Sequence, residues 1–218
     1  MKNRIFIALT LFLILSTVTF QQNLSITKFN LKEIKIENTV LLTEANLKKE
    51  LNSLYGKNLI TLKNEEIENL LLKNSFVESF FIKKKYPNTL KIKIYEKKPI
   101  AILIDNKRKF YVSDKIDLIK FQDFQNFKNL PYILGNKEEF KILYRNLKRV
   151  NFPSKNITNY ILYDSKRWDL KTVDKKIIKL PTKNYVKSLT NFLTIQNNKN
   201  FSKYFIFDYR IKDQLILK

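Results

Sequence analysis

The chain has 218 residues, 44% of them hydrophobic, and a formal net charge of +22. That length suits one or two modest domains with real cores. With no histidine, no cysteine and only the glycines Gly56 and Gly135, it excludes Cys/His metal sites, Ser-His and Cys-His nucleophile pairs, disulfides, a lipid-modified N-terminal cysteine and every glycine-rich phosphate loop.

The charge invites a nucleic-acid reading. Apart from Arg4, Arg108, Arg145, Arg149, Arg167 and Arg210, however, all basic residues are lysines, interleaved with Asn and Ile along every segment. Readers of bases and phosphates lean on the planar arginine fork. Association with an anionic membrane surface matches the charge better.

Lys2 and Arg4 open the chain, and Ile5–Phe20 is an uninterrupted run of apolar or hydroxyl residues. Two readings fit this run. One is a secretory signal peptide; the other is a membrane anchor, which needs about 20 residues, with roughly 17 at the lower end. No clear Ala-x-Ala-like cleavage site follows, and Ser16-Thr17-Val18 is a poor substitute. We take residues 5–22 as an anchor, with Gln21 and Gln22 reaching the head-group zone. The basic residues in front make 1–4 a cytoplasmic tail, although Lys28, Lys32 and Lys35 sit farther along on the other side.

Residues 34–99 read as one βααββ unit. The strand Ile34-Lys35-Ile36-Glu37 leads to Thr43, a helix N-cap. Leu47, Leu51 and Leu54 follow at helical spacing, and Gly56 closes that helix. Asn64 caps a second helix with Glu65 and Glu66 in its first turn, where carboxylates favour the positive end of the dipole. Its buried stripe is Ile67, Leu70 and Leu71. Two strands then flank the turn Tyr86-Pro87-Asn88-Thr89. In the last strand Leu90, Ile92 and Ile94 share one face, and Lys91, Lys93 and Tyr95 the other. This order suits a small extracytoplasmic interaction module, not an enzyme core.

Pro99 marks a seam. Short strands follow at Ile100–Ile104, Lys109–Val112 and Leu118–Phe121. Leu130-Pro131 ends that run, and Gly135-Asn136 begins a turn. Phe140, Leu143, Tyr144 and Leu147 give a helix at i, i+3, i+4, i+7. Strands recur at Asn159–Tyr163, Arg167–Lys171 and Lys176–Leu180, and a helix carries Val186, Leu189 and Leu193 on one face. The chain finishes in Tyr204–Tyr209 and Gln214–Lys218. The result is a mostly β domain with helices on one side. Its final strand, with no tail to cover it, exposes an edge that can accept a partner strand.

The words Asn58-Leu59-Ile60-Thr61-Leu62, Asn74-Ser75-Phe76-Val77-Glu78-Ser79, Lys84–Ile92 and Glu96-Lys97-Lys98-Pro99-Ile100-Ala101 occur in the order of the POTRA domain of bacterial division proteins. Arg167–Lys171, Ile178–Pro181 and Phe207-Asp208-Tyr209-Arg210 look like the second domain of the same family. On these words the chain resembles the FtsQ/DivIB family. It departs from the pattern at Glu37-Asn38, where members often carry Gly-Asn, and at Ser75-Phe76, where they often carry Pro-Trp. The resemblance implies an α+β architecture: a transmembrane helix, a POTRA-like βααββ domain over 29–97 and an FtsQ-type β domain over 98–218.

The resemblance also implies a retained single span, with the bulk of the chain in the periplasm at the division septum of the inner membrane. It implies a non-enzymatic scaffold with no cofactor or small-molecule substrate. Its partners would be other membrane-anchored division proteins of the FtsB/FtsL type. By position, the docking residues are Gln214, Leu215, Ile216, Leu217 and Lys218, with Tyr209 and Tyr185 beside them. A POTRA-containing accessory factor of outer-membrane assembly or secretion is the alternative.

No catalytic or metal-binding constellation emerges from the residues. Ser25-Ile26-Thr27-Lys28, Ser113-Asp114-Lys115 and Lys171-Thr172-Val173 imitate the words of serine acyl-transfer enzymes. The first sits against the membrane, and the third has lost its glycine. Asp164 and Asp169 bracket Arg167-Trp168 and read as turn acids at a strand end. Trp168 reads as a core or interface anchor.

Overall fold

The computed structural model of the protein describes residues 2–17 and 27–218. The chain divides into two compact units, Met1–Glu96 and Lys97–Lys218.

Helix α1 (Lys2–Thr17) has 16 residues, about 24 Å at the α-helical rise. Among the described residues no helix is long and apolar enough to cross a membrane. The remainder of the expected anchor, residues 18–22, lies outside the described residues, as does Ser25 of the Ser-x-x-Lys word.

The first unit then runs β1 (Glu33–Glu37), α2 (Glu44–Glu50), α3 (Asn64–Leu71), β2 (Val77–Lys85) and β3 (Thr89–Glu96). Strand β3 is central, parallel to β1 and antiparallel to β2. Its alternation places Leu90, Ile92 and Ile94 in the core, fully buried with Ile34, Leu47 and Ile67. Thr43 caps α2 as expected, its hydroxyl accepting from the Asn46 N–H at 3.3 Å. The Glu96 carboxylate also accepts from the amides of Val40, Leu41 and Leu42 at 2.8–3.0 Å. The end of β3 thereby fixes the approach to α2.

Two local expectations are corrected. The N-cap of α3 is Lys63, whose ψ of 142° is extended, and Asn64 is the first helical residue. Helix α2 stops at Glu50, and a 3₁₀ turn, Asn52–Leu54, follows. The tighter turn lets Leu51 and Leu54 both reach the core, which one continuous helix was expected to do. Gly56, at φ +79°, comes only after this turn.

The second unit contains nine strands and two longer helices. Strands β4 (Pro99–Asp105), β5 (Arg108–Ser113), β6 (Leu118–Lys120) and β7 (Tyr132–Leu134) precede α4 (Lys137–Arg149). Strands β8 (Ile157–Leu162), β9 (Trp168–Thr172) and β10 (Ile177–Lys179) come next. Helix α5 (Val186–Ile195), β11 (Ile206–Asp208) and β12 (Ile216–Leu217) complete it. All nine strands form one sheet, ordered β12-β11-β10-β9-β8-β7-β4-β5-β6.

One apolar cluster joins Phe140, Leu143 and Leu147 of α4 and Leu189 and Phe192 of α5 to the sheet residues Ile133, Tyr160, Trp168, Leu170, Ile178 and Phe207. Toward β6 another layer forms. The Tyr111 hydroxyl donates to the Gln122 carbonyl, and its ring packs on Phe121 and Phe127, with centroids 4.9 and 5.4 Å away.

Strand β7 was not foreseen. It has only three residues, squeezed between Pro131 and Gly135, too few for alternation to show. It nonetheless sits mid-sheet, parallel to both β4 and β8. Gly135 makes the close approach possible: a Cβ there would lie 2.8 Å from Leu162 Cβ and 3.3 Å from the Trp168 ring.

Candidate protein-interaction edge

Strand β12 is the last in the sheet, so one of its sides faces β11 and, among the described residues, no strand pairs with the other. Its register defines what that free side offers. Ile206 and Lys218 exchange both hydrogen bonds, at 2.8 and 3.1 Å. Antiparallel pairing alternates bonded and non-bonded pairs. The next pair, Phe207 with Leu217, is therefore non-bonded, and the amide and carbonyl of Leu217 turn away from β11. Ile216 is exposed, while Leu215 and Leu217 pack partly against the core cluster.

The segment leading into β12 walls a groove of about 800 Å³. Gln214, Leu215 and Tyr209 line it on one side, and the loop and first turns of α5 line the other. Its rim carries Arg149, Lys183, Lys187, Arg210 and Lys212 against one acid, Asp213. Tyr209 is anchored: its amide donates to the Lys179 carbonyl and its hydroxyl to Asn191 Oδ1, both at 2.9 Å. Burial pushes its phenol well above the usual tyrosine range.

Of the residues expected at a docking surface, Gln214, Leu215 and Tyr209 meet in this groove, and Ile216, Leu217 and Lys218 continue from it along the edge. Tyr185 does not line it. Its hydroxyl accepts from Asn146 Nδ2 at 3.0 Å, linking the start of α5 to α4.

Sequence reasoning missed the charges that shape this end of the sheet. Across β9, β10 and β11 the register places Asp169 opposite Lys179 and Lys179 opposite Asp208. Arg210 grips Asp208 with its fork, Nε to Oδ1 at 2.8 Å and Nη2 to Oδ2 at 2.6 Å. These hydrogen bonds hold the Asp208 carboxyl below its ordinary range. Asp169 behaves oppositely. It is no turn acid but a strand residue, 3% exposed. Arg167 is 3.8 Å from its Oδ1, which accepts no hydrogen bond. Burial raises its pKa despite that neighbour. Arg167 lies over the Tyr163 ring, 4.2 Å from its centroid. The hint available in sequence was Asp208 two residues from Arg210, just before the final strand.

Among the described residues no group of acidic side chains could hold a metal ion. Trp168 is a core residue, packed edge-on against Phe140 at 6.5 Å.

Residues 29–97 match the family model for the POTRA domain, FtsQ-type. Curated relatives extend the likeness over both units. The cell division protein FtsQ of Rickettsia conorii is 27% identical over 194 residues, 87% of this chain and 72% of the relative. That of Rickettsia prowazekii is 28% identical over 198 residues, 83% and 73% of the two chains. That of Rickettsia bellii is 28% identical over 200 residues, with the same shares.

The chain is similar to FtsQ cell-division proteins across both units. Its first unit contains the POTRA domain, and the relatives that match both units are cell-division proteins. In this chain the POTRA sheet ends in the long strand β2, whereas the second unit ends in the short strand β12 with a basic groove alongside.

Proposed function

We propose that this protein is a non-enzymatic scaffold of the division machinery, held in the inner membrane by its N-terminal segment with the POTRA domain and the second unit in the periplasm. It captures another membrane-anchored division protein, of the FtsB/FtsL type, by strand addition at β12. The observation that carries this reading is the register at the sheet's end, which turns the Leu217 backbone outward beside an open groove. A partner strand would gain affinity from main-chain bonds and selection from alternate side chains. Its flanking segment would lie in the groove, where an excess of cations favours acidic residues. Confinement to one thin layer raises the effective concentration of all such partners, so modest contacts suffice. The POTRA domain would serve recruitment.

The test is deletion of Leu215–Lys218. Partner capture in a pull-down is expected to disappear while the protein stays with the membrane fraction. Undiminished capture discards the docking assignment. Crosslinking in growing cells from positions along Gln214–Lys218 would identify what is bound.

A further inference from the structure

The POTRA sheet has a second surface whose side chains nothing above employs. Its inner face is the core. Its outer face carries Ser79, Phe81, Lys83 and Lys85 from β2, Lys91, Lys93 and Tyr95 from β3, and Glu33, Lys35 and Glu37 from β1. The register puts Lys83 opposite Lys91 and Lys91 opposite Lys35, a row of three lysines crossing every strand. Like charges directly opposite on a sheet are destabilising. A lysine-rich composition supplies lysines, but it does not require them in register.

Partial relief comes from Glu37, 2.6 Å from Lys91, and Glu33, 3.4 Å from Lys35. Lys93 leans over the Tyr95 ring at 5.5 Å. Lys83 and Lys85 are exposed and form no ion pair among the described residues. Beside this cluster stand two aromatic side chains. Phe81 is 62% exposed and Tyr95 43%, and Phe81 sits opposite Lys93, two residues from Tyr95.

We infer that this face docks on an anionic phospholipid surface, the lysines meeting head-group phosphates while Phe81 and Tyr95 enter the interfacial layer. The lysines line an open sheet face, and lysine is a mobile point charge, not a planar fork that selects one partner group. A lipid surface needs neither selection nor fork, only cations and interfacial rings. The inference rests on the proposed tether to the extent that the tether keeps the sheet near a bilayer.

The absence of cysteine permits a direct test on the full chain. Ser79→Cys takes a single fluorophore on this face, and Lys73→Cys carries a control label on an exposed loop. Each protein is mixed with vesicles of pure phosphatidylcholine or of phosphatidylcholine doped with phosphatidylglycerol, both containing a lipid-borne quencher. The Ser79→Cys label is expected to be quenched several-fold more in the doped vesicles and to lose that gain in high salt. Docking should weaken by roughly fivefold for each of Lys83→Gln and Lys85→Gln. The control label should not respond.

Equal quenching in the two vesicle types, with the protein floating on both, overturns the face and leaves the tether standing. Failure to float on neutral vesicles refutes the tether. Flotation on doped vesicles then reads the face alone, supporting it if it depends on Lys83 and Lys85 and overturning it if absent. Shielding of the label by polyglutamate but not by lipid would assign the surface to an acidic protein and refute the membrane reading.

Discussion

The two units deploy positive charge in contrasting ways. On the POTRA sheet the cations are lysines spread over one sheet face, and two of them, Lys83 and Lys85, form no close ion pair among the described residues. Beside β12 an arginine is fixed: Arg210 lies in the grip of Asp208, itself only 6% exposed. A fixed fork presents one geometry and suits one partner. Free lysines present none and suit a diffuse surface. Net charge alone conceals this distinction, because both arrangements contribute to the same total.

The contrast can be broken from the groove side first. Gly135→Ala would push a methyl into Leu162 and Trp168, and overpacking of this kind costs about 1–3 kcal/mol. The thermal midpoint of the second unit should fall, with the POTRA transition unchanged in calorimetry. A fall in both would mean that the units do not unfold separately.

Next comes a paired exchange. Arg210→Lys keeps the charge but removes the fork, so partner capture should weaken by roughly tenfold, as for an interface anchor. Lys83→Arg, the reverse change on the POTRA face, should leave vesicle docking unaltered. Equal responses in binding titrations would erase the distinction between fixed and free cations.

The smallest effect concerns two carboxylates flanking Lys179. Asp208 has a lowered pKa in the folded protein. Its contribution is therefore complete above the unfolded value, near 4, and is lost as pH falls through the folded one. Asp169 has a raised pKa, so its ionised form is the one folding disfavours. Stability tied to Asp169 is present below the unfolded value and lost as pH rises through the folded one. Asp169→Asn should therefore stabilise the protein at neutral pH by about 1 kcal/mol, on the usual cost of a buried polar atom without a partner. The gain should vanish in acid, as denaturant titrations across pH would reveal.

Much of this architecture was legible wherever a pattern repeats. Leu90, Ile92 and Ile94 alternate over enough residues to fix a strand and its inner face. Thr43 announces a helix start through its own side-chain chemistry and accepts the expected backbone N–H, whereas Asn136, read only as part of a turn, caps α4 in the same way. Legibility failed where an element is short or where a property belongs to several strands at once. Tyr132–Leu134 is too brief to show a period. The α2 break at Glu50 preserves the burial pattern of a continuous helix, so spacing could not reveal it. Asp169 resembled a turn acid because its burial depends on which residues β10 and β11 place beside it. The groove's rim of cations likewise gathers from α4, the loop before α5, α5 itself and the segment before β12. The terminal strand was visible as sequence, but the direction of its backbone groups follows only from the Ile206–Lys218 pair.

Trp168 is the single tryptophan of the chain, 2% exposed in the larger unit. Its indole is a built-in optical gauge. Emission excited at the red edge of protein absorbance reports on that unit alone, without any dye. The POTRA domain, carrying only tyrosines and phenylalanines as chromophores, stays dark in that channel.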